Sequence, residues 1–329
     1  DTIVFNWRLK AWARLVPMIS IACIAAFAIN YNFACFAEDD PGSRSIHYSN
    51  MGLGYKDKGD LASARDALEK AVMLDASNAF AFNNLGTILL EMNDFSAAQS
   101  AFEKAISLNA FSCNALYNLG KCHQSKGEPE KAKQWYYRAI ACDSQFAKAH
   151  TNLAQILLKA NRLQEAENHL AEALASSPNL PEVHLTLGRL ELKRGAPLKA
   201  LDHIKKVIHD CPDKPDGYVQ IGLVYMQMKE PLEGLRAYET ALAMDPKNID
   251  ALVGSGMALL QQNRLEAAIV QLEKARREKP DAPFTLGLLV QAYFLKGDMA
   301  AMEASSRRLK SADPELAQKM GTMLSGKKR

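Results

Sequence analysis

The chain repeats itself at a fixed interval. Shifting its 329 residues by 34 lays similar residues over one another from Ser45 to Leu316, through eight units without an inserted or deleted residue. A constant period of this length marks stacked supersecondary units, none of which can bury its apolar face alone. In the unit 79–112, Leu85, Gly86 and Leu89 share one face of a first helix, and Asn93 and Asp94 interrupt it. Ala98, Phe102, Ala105 and Ile106 then share one face of a second helix. Each unit therefore reads as a helical hairpin, and the fold class as all-α.

The register is explicit at three positions. The eighth residue of each unit is Gly52, Gly86, Gly120, Ala154, Gly188, Gly222, Gly256 and finally Val290. The twentieth is Ala64, Ala98, Ala132, Ala166, Ala200, Gly234, Ala268 and Met302; the twenty-seventh is Ala71, Ala105, Ala139, Ala173, Val207, Ala241, Ala275 and Leu309. Helices approach closely only where no large side chain intervenes, which explains the small residues. The thirty-second residue settles from Ala76, Ala110 and Ser144 into Pro178, Pro212, Pro246, Pro280 and Pro314, which should stop each second helix. Val290, Met302 and Leu309 predict looser or different packing in the last unit, as terminal repeats often show.

This pattern resembles the tetratricopeptide repeat family. The resemblance implies a right-handed superhelical solenoid of eight hairpins: 45–78, 79–112, 113–146, 147–180, 181–214, 215–248, 249–282 and 283–316. It also implies a concave groove lined by the first helix of each hairpin, chiefly by its second, fifth, sixth, ninth, twelfth and thirteenth residues. Composition agrees with one elongated globular array, being 48% hydrophobic and 23% charged. A net charge of +3 is too mild to suggest a nucleic-acid partner.

Residues 1–37 are of another kind. Arg8, Lys10 and Arg14 precede an apolar run that begins at Leu15 and ends in small residues by Ala37, before Glu38, Asp39 and Asp40. This reads as a secretory signal cleaved after Ala37 or, alternatively, as a retained membrane anchor. In either case the repeats are exported, and the expected location is the periplasm, free or facing it from the inner membrane. A lipoprotein signal is the third option, although neither Cys23 nor Cys35 follows the leucine such signals usually carry. Residues 38–44 read as a linker with Pro41 and Gly42 as breakers, and 317–329 as a frayed basic tail ending GKKR.

Export leaves Cys113, Cys122, Cys142 and Cys211. Cys113 opens the first helix of the third hairpin and Cys142 ends its second, so an antiparallel hairpin brings this pair together. Cys113 and Cys122 are about 13 Å apart along one helix and cannot bridge. The alternative, and the expectation here, is four buried small residues.

Three sets of groove residues carry the functional expectations. Asn50, Asn84, Asn118 and Asn152 occupy the sixth position of the first four units, and an amide there can hold a peptide backbone without reading its side chains. Lys121, Lys148, Lys159, Arg189 and Lys193 sit beside them and suit an acidic segment or a terminal carboxylate. The carboxylate clamp of chaperone adaptors in this family needs lysine and arginine where this chain has Asn83 and Asn152. Val219, Leu223, Met226, Val253, Met257 and Leu260 would form an apolar strip suited to an amphipathic helix or hydrophobic strand. For each set the bland alternative is an ordinary solvated or packed surface.

No H-E-x-x-H, P-loop or nucleophile-elbow motif occurs, so no catalytic residue and no cofactor are expected. His150 and His184 share the fourth position of adjacent units, and His169 and His203 the twenty-third. Equivalent positions lie about 8–10 Å or more apart, too far for a shared metal, and no metal site is expected. The resulting expectation is a non-catalytic protein-binding scaffold of the bacterial cell envelope, with unit eight a place for self-association. Segments such as MGLGYKDKGDLASARDALEKAV are similar to the tetratricopeptide pilotins of type IV pilus biogenesis. The other reading is an accessory carrier that presents unfolded protein or polysaccharide to an envelope enzyme.

Overall fold

The computed structural model describes residues 40–326, where the regular structure is entirely α-helical. Residues 1–37, with Cys23 and Cys35 and the expected signal or anchor, lie outside the described residues. The chain divides into two compact bodies between Ser144 and Gln145.

The first body contains three hairpins: α1 (Pro41–Asp57) with α2 (Leu61–Leu74), α3 (Ala79–Glu91) with α4 (Phe95–Leu108), and α5 (Cys113–Ser125) with α6 (Pro129–Cys142). Within this body each hairpin packs on itself, and α2 also packs on α3 and α4 on α5. The second body continues the scheme with α7 (Ala147–Lys159) and α8 (Leu163–Ser176), α9 (Pro181–Lys193) and α10 (Pro197–Asp210), and α11 (Pro215–Gln227) and α12 (Pro231–Met244). It ends with α13 (Ile249–Gln261) and α14 (Leu265–Glu278), α15 (Pro283–Lys296) and α16 (Met299–Ala312), and a single helix α17 (Pro314–Gly326).

Every hairpin turns on one residue of positive φ, recurring at the repeat period: Gly59, Asn93, Gly127, Asn161, Gly195, Lys229, Asn263 and Gly297. Glycine and asparagine enter this left-handed region cheaply; lysine does not. The second helices all stop in register, with or without the proline expected to stop them. α2, α4 and α6 end at Leu74, Leu108 and Cys142 although Ala76, Ala110 and Ser144 follow. An extended residue terminates each: Asp75, Asn109 and Asp143 have φ of −139°, −141° and −141°. The Asp75 and Asn109 side chains then accept from the backbone N–H two residues on, at 2.9 and 3.1 Å.

The small eighth residue meets a large, fully buried twenty-fourth. A β-carbon built on Gly86 would lie 2.6 Å from the Phe102 ring, and one on Gly120 would lie 2.6 Å from Tyr136. The last hairpin redistributes this volume rather than loosening. Val290 takes the small position, Ser306 stands where the large residue usually does, and Val290 and Leu309 are each 1% exposed. They are covered by α17, whose Leu316, Ala317, Met320 and Leu324 pack against them. The segment expected to fray is thus a capping helix through Gly326, and the apolar face offered for self-association is occupied by the chain's own terminus.

The other end also differs from expectation. Pro41 and Gly42 begin α1 rather than breaking it, because proline at the first helical position lacks an N–H that would be unpaired anyway. Asp40 caps the helix by accepting from Ser43 N at 3.2 Å.

Candidate functional site

The first helices carry the candidate groove, and their polar side chains are largely spoken for by the neighbouring hairpin. Asn118 donates through Nδ2 to Asn83 Oδ1 at 3.0 Å and to Thr87 Oγ1 at 3.4 Å. The same offset of 31 residues recurs in the second body, where Gln155 Nε2 donates to Thr186 Oγ1 at 3.3 Å and Arg189 Nε donates to Gln220 Oε1 at 3.1 Å. A residue at the ninth position of one hairpin thus meets the sixth of the next. The geometry follows from stacking, which sets first helices side by side.

The four asparagines therefore differ. Asn50 is exposed on α1, Asn118 is half-buried and engaged on α5, and Asn152 is half-buried on α7. Asn84 on α3 is only 9% exposed, and its Nδ2 has no hydrogen-bond partner in the protein. A buried donor left without an acceptor costs about 1–3 kcal/mol relative to one in water.

Lys121, Lys148, Lys159, Arg189 and Lys193 are all exposed. Lys121 lies over the Tyr117 ring, its Nζ 6.0 Å from the centroid. The apolar strip is not a continuous open surface. Val219 is buried with Tyr238, Ala241 and Ala251, and Met226 packs against that cluster and against Leu235, Ala258 and Leu259. Leu260 is absorbed between α14 and its neighbours, and Val253 and Met257 are half-buried; Leu223, at 39%, is the exposed member. Hydrophobic residues at these positions serve first to join successive hairpins.

The cysteines depart from the expectation of four buried thiols. Cys113 and Cys142 form a disulfide with their Cα atoms 5.6 Å apart, closing the third hairpin where α5 begins and α6 ends. Cys122 is buried and free, and burial raises its thiol pKa; Cys211 is free and partly exposed.

The histidines contain the feature that the spacing argument missed. Their partners lie within each hairpin and not in the equivalent position of the next. His150 Nδ1 is 3.0 Å from His169 Nδ1, and His184 Nδ1 is 3.3 Å from His203 Nδ1. Each pair joins the fourth residue of the first helix to the twenty-third of the hairpin, and the available signal was the common separation of 19 residues. His150 and His184 are 5% and 6% exposed. Burial, reinforced by the partner imidazole, lowers the pKa of His169 and of His203. Among the described residues no group of three or more His, Cys, Asp or Glu is arranged to hold a metal, and no helix is long and apolar enough to cross a membrane.

Repeated helical hairpins stacked on one another define a scaffold of the kind that binds proteins or peptides. Tetratricopeptide repeat profiles match residues 48–78, 83–145, 125–190, 157–220 and 219–283, and the chain belongs to the tetratricopeptide repeat family. No curated protein sequence matches it significantly. Among solved structures it resembles a tetratricopeptide repeat protein from Parabacteroides merdae ATCC 43184, with 20% identity and a TM-score of 0.63 over 76% of this chain and 99% of that one. The Cut9–Hcn1 hetero-tetramer of APC/C matches at 16% identity and a TM-score of 0.62, covering 76% of this chain and 53% of that one. The type IV pilus biogenesis factor PilW matches at 19% identity and a TM-score of 0.54, covering 63% of this chain and 96% of that one. At these identities the likeness is one of fold.

Proposed function

We propose that this protein is a non-catalytic scaffold of the bacterial cell envelope that holds a peptide segment of a partner against its first-helix face. The observation that carries the reading is the amide group around α3 and α5. Asn118 Nδ2 donates to Asn83 Oδ1 and Thr87 Oγ1, whereas Asn84 Nδ2 stays buried without an acceptor. A peptide backbone can use the amide of half-buried Asn118, and Lys121, exposed three residues on along the same helix, favours an acidic or C-terminal segment. Export is supported by the basic and apolar order of residues 1–37 and by the Cys113–Cys142 disulfide, since such bonds persist in oxidising compartments.

Partner capture from an envelope fraction tests the groove. Native protein should retain a discrete partner that the variant Asn84→Ala/Asn118→Ala/Asn152→Ala loses while keeping its helical spectrum; retention by the folded variant refutes the reading. Compartment is tested separately through Cys211, the partly exposed free thiol. A membrane-impermeant maleimide should label it in spheroplasts without lysis, and labelling only after lysis refutes export. The narrower assignment, a factor in type IV pilus or secretin assembly, rests on similarity in the repeat segments, and PilW adds likeness of fold alone. A carrier for unfolded protein is the weaker alternative, because Val219, Met226 and Leu260 are consumed in joining hairpins.

A further inference from the structure

The second body contains paired imidazoles that the peptide groove does not use. His184 and His203 face each other across the α9–α10 hairpin with Nδ1 atoms 3.3 Å apart. His184 Nε2 lies 2.8 Å from the Pro178 carbonyl oxygen, which can only accept. His184 is therefore protonated at Nε2 when neutral, and its Nδ1 presents a lone pair to His203. That arrangement, one ring nitrogen anchored on a backbone carbonyl so that the other carries the lone pair, is how histidine ligands are oriented around metals. Both rings also line a cleft of about 700 Å³ whose wall includes Asn179, Lys206, His209 and Asp210, so the space beside them is open to solvent.

The separation of the two nitrogens matters. With a Zn–N bond of about 2.05 Å, an edge of 3.3 Å subtends about 107°, close to the tetrahedral angle that zinc prefers. We propose that His184 and His203 form a two-imidazole site for a borderline divalent transition ion, zinc being the best geometric match, with the remaining coordination positions open to the cleft. In the metal-free pair His203 donates its Nδ1 proton to His184. On binding, that proton relocates through solvent to His203 Nε2, leaving both Nδ1 lone pairs on the ion and requiring no change in net protonation. Two protein ligands make a weak, exchangeable site, completed by water or by a side chain brought into the cleft.

The test is titration of the full chain with zinc chloride at neutral pH, read by calorimetry, alongside His184→Gln, His203→Gln and Cys211→Ser. Native protein and Cys211→Ser should bind one saturable equivalent that both histidine variants lose. Unchanged zinc stoichiometry in His203→Gln, no saturable binding by native protein, or loss of binding in Cys211→Ser would each overturn the proposal. Should the histidine variants fail to fold, ring-nitrogen NMR of the native protein decides: zinc should shift the Nδ1 resonances of His184 and His203 together, and shifts confined to other histidines refute the site.

Discussion

Tyr136 and Tyr238 occupy the same repeat position, the twenty-fourth, yet their hydroxyls meet opposite fates. Tyr136 donates to Gln124 Oε1 at 2.7 Å, whereas Tyr238, 1% exposed, has no partner for its hydroxyl. The difference lies at the twelfth residue of the hairpin, glutamine in one case and Met226 in the other. Burial also pushes the Tyr238 phenol well above its ordinary pKa, so it remains a neutral, unmatched donor. Tyr238→Phe removes that donor without changing ring volume and should stabilise by about 1 kcal/mol, the low end of the cost of an unsatisfied buried group. Tyr136→Phe breaks a satisfied bond and should destabilise by about 1 kcal/mol, leaving the two variants about 2 kcal/mol apart in opposite directions. Urea titration followed by circular dichroism measures both, and exchange protection of α12 and α6 localises the effect should the array not unfold in one step. If Tyr238→Phe is destabilising by as much as Tyr136→Phe, Tyr238 has a hydrogen-bond partner and the reasoning fails.

Four further outcomes follow from the same geometry. Lys229 holds a left-handed φ of 62° at a position where three hairpins use asparagine and four use glycine, so Lys229→Gly should raise stability by about 1 kcal/mol, and an unchanged urea midpoint would count against backbone strain there. Removing the Cys113–Cys142 link, which spans a separation of 29 residues, by reduction or double serine replacement should cost about 3–4 kcal/mol through the entropy regained by the unfolded chain. Because burial holds His169 and His203 below the ordinary 6.5, the unfolded chain takes up their protons first as acid is added. Stability should be full above about pH 6.5 and fall as pH drops toward the folded pKa values, and His169→Gln/His203→Gln should flatten that slope. Gly120→Ala drives a methyl into the Tyr136 ring and should destabilise by about 1–3 kcal/mol despite better helix propensity, whereas Gly54→Ala, whose β-carbon meets nothing within 4 Å, should stabilise by up to about 1 kcal/mol in the same melt.

Much of this molecule follows from its sequence alone, because a 34-residue period restricts every unit at once. The small eighth, twentieth and twenty-seventh residues recur because helices approach closely there, and they set the repeat register without any known contact; that the eighth meets a large twenty-fourth came only from packing. The turn of 79–112 was legible at Asn93 and Asp94, whereas the left-handed residue at Asn93 and its counterparts is a finding of the structure. Pairings across the hairpin were not legible. His150 with His169, His184 with His203, and the exchange of polar groups between ninth and sixth positions depend on how two helices rotate against each other, and comparing equivalent positions hides contacts between non-equivalent ones. The disulfide was visible as a possibility and was decided only when antiparallel packing brought the ends of α5 and α6 to 5.6 Å. The same holds for the last helix: Leu316, Met320 and Leu324 acquire meaning only beside Val290 and Leu309, the apolar face that α17 covers. Sequence periodicity dictated the repeating unit; tertiary packing chose which side chains those units spend on one another and which they leave exposed.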